Sequence, residues 1–569
     1  MSIFREPQPL KRNRFLSEAD LTLADVLGRL ERDEELSPTR RRDLCSAVRR
    51  TAQLLNRDPA MLPARIGALR HGFNGVHPGH AGVNEKTVQN IKSNILAAFR
   101  HLGIAQAARP MVAHLDPAWQ RLVRSLPEKS MRYGLSRFAR FCSNAGYAPG
   151  GVDDRVVDEF MAAVREATFV RNPDKLHRQT TRLWNKAAEA VEEWPRRRLL
   201  VPASRRSRES IPLAEFPESF QKELAAYLAW LEDGDPFAVH RPPRRCRPST
   251  IRERRTYLSL AASALVRRGH VVDRITTLAD LVEVNALKEV CRFYLERNQG
   301  TPTQFLRCLG NTLIHVARHW LRLDEGRIDE LRDVRRRLGP APSGLTGKNR
   351  AMLRQFDDPA TLGRLLALPG QLAEEAIKND NGGQRAAVKM QTALAIEIFL
   401  MAPMRIGNLI RLQVDTHLVR SGGRKGPVHI VFTGEEMKNA EPIEYELPRH
   451  LIGMLDLYLE RFRPRLAGPG NRHLFPGQKW PMKTPGRLRQ QLAETIRRRT
   501  GIVITAHQFR HLAAKLVLDA NPANFELARR VLGHKRMRTT TSFYAGLDAR
   551  RAVRHYDENV LKLRQELCP

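Results

Sequence analysis

Thr505-Ala-His507-Gln-Phe-Arg510-His511-Leu-Ala-Ala514 is the stretch on which the reading of this chain turns. It opens a helix, and helical spacing puts His507, Arg510 and His511 on one face at i, i+3 and i+4. Two imidazoles a turn apart suggest zinc. However, residue 508 is Gln rather than the Glu of a metalloprotease, and Arg510 would set a fixed cation beside the metal. A metal site is set aside.

Outward from this helix, other cationic and nucleophilic groups fall in order. Upstream, an apolar helix from Thr392 to Met401 runs into Ala402-Pro-Met-Arg405-Ile-Gly-Asn408-Leu409-Ile-Arg-Leu412. Pro403 marks a helix break and Leu409 and Leu412 restart an apolar face, so Arg405 sits at a turn beside buried structure. Next comes a hairpin. Val428, Ile430 and Phe432 alternate on one strand and Ile443, Tyr445 and Leu447 on the other, with Gly434-Glu-Glu-Met-Lys438-Asn-Ala-Glu441 between them. Lys438 is thus placed at or near a mobile tip. Downstream, Leu532-Gly-His534-Lys-Arg-Met-Arg-Thr539-Thr-Thr-Ser-Phe-Tyr544 supplies a histidine and a tyrosine.

This set matches one chemistry. A tyrosine hydroxyl, with a pKa of ~10, is a poor nucleophile at neutral pH unless cations surround it. Attack on a phosphodiester concentrates negative charge on the non-bridging oxygens. Arg405 and Arg510 can hold those oxygens through charge-assisted forks, and His534 can add a hydrogen bond. Lys438 is the general acid expected for the leaving 5′-hydroxyl, His507 the group assisting proton movement at Tyr544, and His511 a residue orienting its neighbours. The side chains carry the positive charge, so neither a metal nor another cofactor is expected. Tyr556 is a rival nucleophile, but it lies on a helical stripe and lacks the Thr-rich turn before Tyr544.

In these residues the chain resembles the tyrosine recombinase (phage integrase) family. The family pattern is an Arg after a helix, a Lys on a hairpin, His-x-x-Arg-His, Leu-Gly-His, then Thr-Thr and a nucleophilic Tyr. The resemblance spans about 220 residues and departs in three places. Pro403-Met404 stand where a Gly is usual, Asn408 replaces an acid three after Arg405, and His534 and Tyr544 are ten positions apart where nine is more common. The resemblance implies site-specific recombination through a 3′-phosphotyrosyl intermediate. It also implies a synaptic tetramer on DNA, coupled by a helix that follows the nucleophile, and possible accessory recombination proteins. Val553, Tyr556, Val560, Leu563 and Leu567 form an apolar stripe suited to that helix, starting near Ala549. A type IB topoisomerase or telomere resolvase would share the chemistry, and a non-catalytic DNA-binding protein would share the fold.

Length and composition set the frame. The 569 residues exceed one core, and 96 Lys and Arg against 61 Asp and Glu give a net charge of +35. Basic residues spread over the whole length point to a polyanion, double-stranded DNA first. The Thr392–Met404 run is too short to cross a membrane, and MSIFREPQPLKRNR has no apolar core behind its basic residues, so it does not read as a secretory signal. Six cysteines, none in a CxxC pair, indicate neither a zinc site nor disulfides. A cytoplasmic, nucleoid-associated location is the expectation from these readings.

Stretches 199–213 and 336–350 read as linkers, with a weaker break near Ala107–Pro117. The expected parts are residues 1–110 (N-terminal helical), 111–205 and 206–345 (two helical core-binding-like domains) and 346–569 (mixed α/β catalytic domain with a C-terminal helix). The fold class is therefore mainly α with a small β-hairpin or sheet. Basic helices opened by Ser37-Pro-Thr39, Ser130 and Ser249-Thr250 read as a loose repeat, and Arg137-Phe-Ala-Arg-Phe141 as a core stripe with a charged face. Ser343-Gly-Leu-Thr-Gly-Lys-Asn349 imitates a phosphate loop. It fails because Pro342 replaces the first Gly and Asn349 the Ser/Thr that would hold magnesium. His71, His77 and His80 read as solvated loop histidines, and Asp153-Asp154 and Asp357-Asp358 as unrelated pairs.

Overall fold

The computed structural model describes residues 21–76, 78, 81–104, 115–203, 210–232, 237, 240–340, 344–423, 426–437, 440–478, 480–521 and 524–567, without the side chains of 545–555 and 558. The protein is mainly helical with one three-stranded antiparallel sheet. It divides into two compact units, one formed by residues 1–202 with 344–569, the other by 203–343. Among the described residues no helix is long and apolar enough to cross a membrane.

Apolar periodicity in each helical stretch closes a separate core. Leu23, Val26, Leu44, Val48, Ile95 and Phe99 pack together across the first helices. Trp119, Phe138, Phe160, Trp184 and Trp194 form an aromatic cluster in the next group, with successive rings 5–6 Å apart. In that group Phe138 and Ala139 are buried while Arg137 and Arg140 face solvent, a core stripe with a charged back. In the 203–343 unit, the helices Glu218–Trp230, Pro248–Arg267, Val284–Arg297 and Gln304–His315 enclose Leu224, Tyr227, Leu258, Leu287 and Leu313.

Caps explain where several helices begin. Ser37 accepts from the Arg40 amide with Pro38 at the first helical position. The other two expected openings differ. Ser130 lies inside Lys129–Ala145, with its hydroxyl on Glu128, and Ser249-Thr250 lie inside Pro248–Arg267 behind Arg247. In both cases the residue before the helix, Glu128 or Arg247, has the extended backbone of the cap position, so the serine is not the cap. Asp153 and Asp358 cap helices of their own, and Asp357 pairs with Lys515 at 2.7 Å. Asp154 accepts from the Leu200 amide at 2.7 Å, which accounts for both acidic pairs.

In residues 344–569 the apolar helix runs from Gln384 to Met401 and is buried all round from Met390 to Phe399. Its one acid, Glu397, is 5% exposed and bonded to His450 at 2.7 Å. The hairpin has the expected alternation. Val428, Ile430 and Phe432 of β2 (Val428–Phe432) point inward, and β3 (Ile443–Glu446) pairs with it antiparallel. A further strand, β1 (Leu418–Arg420), pairs with the other edge of β2. Strand-like alternation reads as nearly absent before residue 427, because three residues are too few to show a period of two.

The C-terminal helix differs from expectation. A single helix spans Met537–Leu567, so Thr539, Thr540 and Thr541 form its first turn rather than a separate turn before Tyr544. The 537–567 run holds no proline, and one Gly546 costs only ~1 kcal/mol against Ala, which 31 helical residues outweigh. Within it Tyr556, Leu563 and Leu567 are exposed, 52% or more, and Val560 is half-buried.

Candidate active site

Four elements deliver the site. Arg405 stands at the turn between the Gln384–Met401 helix and the short Ile406–Arg411 helix, with extended backbone that caps the latter. The Gln508–Ala520 helix carries Arg510 and His511, with His507 at its cap. The Phe525–Leu532 helix ends at Gly533 (φ +58°), which turns the chain so that His534 comes next. Only glycine fits well there. The left-handed backbone disfavours a side chain, and a Cβ would also meet the Ile443 side chain of β3. Tyr544 arrives on the C-terminal helix, which packs against the two preceding helices.

Arg510 is 3% exposed and holds the site together. Its guanidinium donates to the carbonyls of Pro403 at 2.7 Å and Leu532 at 2.5 Å, tying the turn before Arg405 to the turn before His534. Arg405 is half-buried, and its Nη1 is shut away from solvent with no hydrogen-bond partner among the described residues. Among the described residues neither arginine is paired with a carboxylate. Two adjacent cations without a counter-anion leave a place for an anion with several oxygens.

The histidines respond to that charge. Burial, His507 and Arg510 hold His511 down at about 4. Burial, Arg510 and Arg405 hold His534 at about 4 and keep His507 below its usual value. Nδ1 of His534 lies 3.0 Å from the Thr540 hydroxyl, which fixes its ring. Burial pushes Tyr544 up to about 12, partly opposed by Arg510. Its hydroxyl lies 2.8 Å from Nδ1 of His511. The expected partner of the tyrosine was His507; instead that ring lies edge-on to His511, 5.2 Å between centroids.

Arg405, His507, Arg510, His511, His534 and Tyr544 therefore share one neighbourhood. Lys438 lies outside the described residues. The residues flanking it are held. Glu436 bonds His417 at 2.8 Å and the Thr433 amide at 3.0 Å, and Glu441 pairs with Lys535, the neighbour of His534. Asn408 is buried, with its amide on Met437 Sδ and its oxygen on Arg411. The position that departs from the family pattern thus links the Arg405 helix to the hairpin. Tyr445 of β3 is a site neighbour that the pattern does not contain. Its hydroxyl donates to the Val531 carbonyl at 3.1 Å and interacts with Arg510 and Arg405. Alternation marked it only as a strand residue.

The depressed histidines set a pH dependence for folding. Each binds its proton less readily folded than unfolded, where the value is ~6.5. Stability is therefore fully present above about pH 6.5 and declines as pH falls toward 4, where the unfolded chain takes up more protons. The midpoint of thermal unfolding should drop by roughly 5 °C or more between pH 7 and pH 5. A melt that is flat across that interval would contradict the assigned environment of His511 and His534.

Residues 370–551 match the family model described as the phage integrase family. No curated protein matches the chain. Among solved structures, XerA recombinase is 12% identical, covering 53% of this chain and 98% of its own, with a TM-score of 0.24. XerH recombinase bound to difH substrate in a pre-cleavage complex is 16% identical, covering 58% and 94%, with a TM-score of 0.28. A lambda integrase tetramer bound to a Holliday junction is 16% identical, covering 56% and 77%, with a TM-score of 0.33. Likenesses this distant carry no weight for the chemistry of the site.

Proposed function

We propose that this chain, whose residues 370–551 match the phage integrase family, is a site-specific recombinase that cleaves and rejoins DNA through a 3′-phosphotyrosyl intermediate. One observation carries the reading: among the described residues Arg405 and Arg510 converge without a carboxylate, one with a buried, unpartnered Nη1, beside a buried tyrosine hydroxyl. A phosphodiester supplies the missing anion. Its non-bridging oxygens would lie on the two guanidiniums and a ring nitrogen of His534, where charge grows in the transition state. The Tyr544 oxygen bonds to phosphorus as the bond to the 5′-oxygen breaks, and Lys438 is assigned the proton for that leaving oxygen. Rejoining runs the same steps backward.

Incubating the full chain with duplex DNA from the flanks of its own gene, then denaturing in SDS, should leave protein attached to a 3′ end at Tyr544. Absence of any adduct across such sites would remove the proposal. Relaxation of a supercoiled plasmid lacking a specific site would move it to a topoisomerase.

Assembly is assigned to the C-terminal helix. Tyr556, Leu563 and Leu567 are uncovered within the chain, and full burial of such side chains contributes ~1.5–3 kcal/mol each. Docking on a second copy would bury them. Deleting residues 549–569 should leave the melt nearly unchanged, abolish the multimer on DNA, and reduce recombination far more than cleavage of a suicide substrate. A truncated protein that assembles and recombines normally would refute this assignment. A large loss of melting temperature would show instead that the helix stabilises its own subunit.

A further inference from the structure

A one-way chain of hydrogen bonds leads to the tyrosine and begins at a group that can only donate. The backbone N–H of Thr505 donates to Oε1 of Gln508 at 2.8 Å, and the Thr505 hydroxyl lies 3.0 Å from the same oxygen. With its oxygen so used, Gln508 presents its NH₂, which donates to Oδ1 of Asn349 at 3.0 Å. Asn349 in turn presents its NH₂ to Nε2 of His511 at 3.3 Å. A ring nitrogen facing a donor must accept, so Nε2 carries no hydrogen. The neutral imidazole then has its proton on Nδ1, 2.8 Å from the Tyr544 oxygen.

We propose that Gln508 and Asn349 lock His511 in the Nδ1–H tautomer, so that His511 donates a hydrogen bond to the Tyr544 oxygen and does not take its proton. The inference rests on the recombinase reading for its consequence, though not for its geometry. During cleavage the Tyr544 O–P bond forms and the bond to the 5′-oxygen breaks. The tyrosine proton passes to solvent, and the 5′-oxygen takes up a proton. His511 keeps its own proton throughout. Its N–H stabilises the phenolate before attack and again when the tyrosine leaves during rejoining, opposing the burial that makes this phenol hard to ionise.

The surroundings support a neutral ring. His507 and Arg510 face His511 from its own helix, Asn349 from the Gly347–Arg354 helix, and Tyr544 from the C-terminal helix; His534 interacts with it from the turn after Gly533. None is an acid. Gln508 and Asn349 are positioning residues, acting through His511.

Asn349→Asp tests this, because a carboxylate can only accept from Nε2 and so drives the proton off Nδ1. In full-length protein with ¹⁵N-labelled histidine, with the His511 signals assigned by their loss in His511→Gln, the wild type should show a protonated Nδ1 and a bare Nε2. Asn349→Asp should reverse them. Covalent-complex formation on a suicide substrate should slow about tenfold or more, the worth of one good hydrogen bond. Its rate should also gain an acid limb between pH 5 and 8, since the ring must then accept a proton and the carboxylate raises its basicity. The wild type should show no break from His511 in that range. Gln508→Glu removes the donor to Asn349 by another route and should move the profile the same way if Asn349→Asp fails to fold. A protonated Nε2 in the wild type, or pH profiles of both variants that superimpose on it, would overturn the proposal. If the wild type forms no Tyr544 adduct, the recombinase reading fails while the labelling result still decides the tautomer.

Discussion

Tyr544→Phe is expected to bind DNA like the wild type and to form no SDS-resistant complex, the largest effect of any single change in this chain. The hydroxyl removed is the one at 2.8 Å from His511, and the phenylalanine ring still fills a site that is 2% exposed, so folding should survive. Tyr556, 68% exposed and about three turns further along the same helix, is the control. Tyr556→Phe should retain adduct formation. Adducts from Tyr544→Phe that vanish in Tyr556→Phe would reassign the nucleophile.

The two arginines should separate rate from stability in opposite ways. Arg405→Ala removes a guanidinium whose Nη1 is buried without a partner, so the melt should be unchanged or slightly raised. Cleavage should fall by ~10²-fold or more, as when a preorganised donor to developing charge is lost. Arg510→Ala should lose as much rate and also stability. It frees the carbonyls of Pro403 and Leu532, at roughly 1–3 kcal/mol for each buried group left unsatisfied. Single-turnover cleavage alongside thermal melts would measure both. Equal losses of DNA affinity and rate for Arg405→Ala would make that arginine a DNA-positioning residue instead.

The legible part of the site was the part written in short segments. Helical spacing alone puts His507, Arg510 and His511 on adjoining positions, and alternation alone gives β2 and β3 their inward faces. A proline after an apolar run is enough to place Arg405 at a turn. Leu532-Gly533-His534 encodes its own bend, because glycine is the residue that takes a positive φ at a helix end. Pattern failed where a local signal was ambiguous or too short. Ser130 and Ser249 look like caps and sit inside helices, and three residues of β1 carry no period.

The sequence by itself therefore determined the set of groups and their order: two arginines, the histidines, a tyrosine and the helices and hairpin that bear them. Only the tertiary structure decided who meets whom. His507 and His511 share one helix face at i and i+4, so spacing cannot choose between them, and packing of the C-terminal helix gave Tyr544 to His511. Likewise Asn349 reaches His511 across 162 positions of chain. Within its own segment it read only as the residue that spoils a phosphate loop. A hydrogen bond has no sequence signature when its partners are brought together by the core between them.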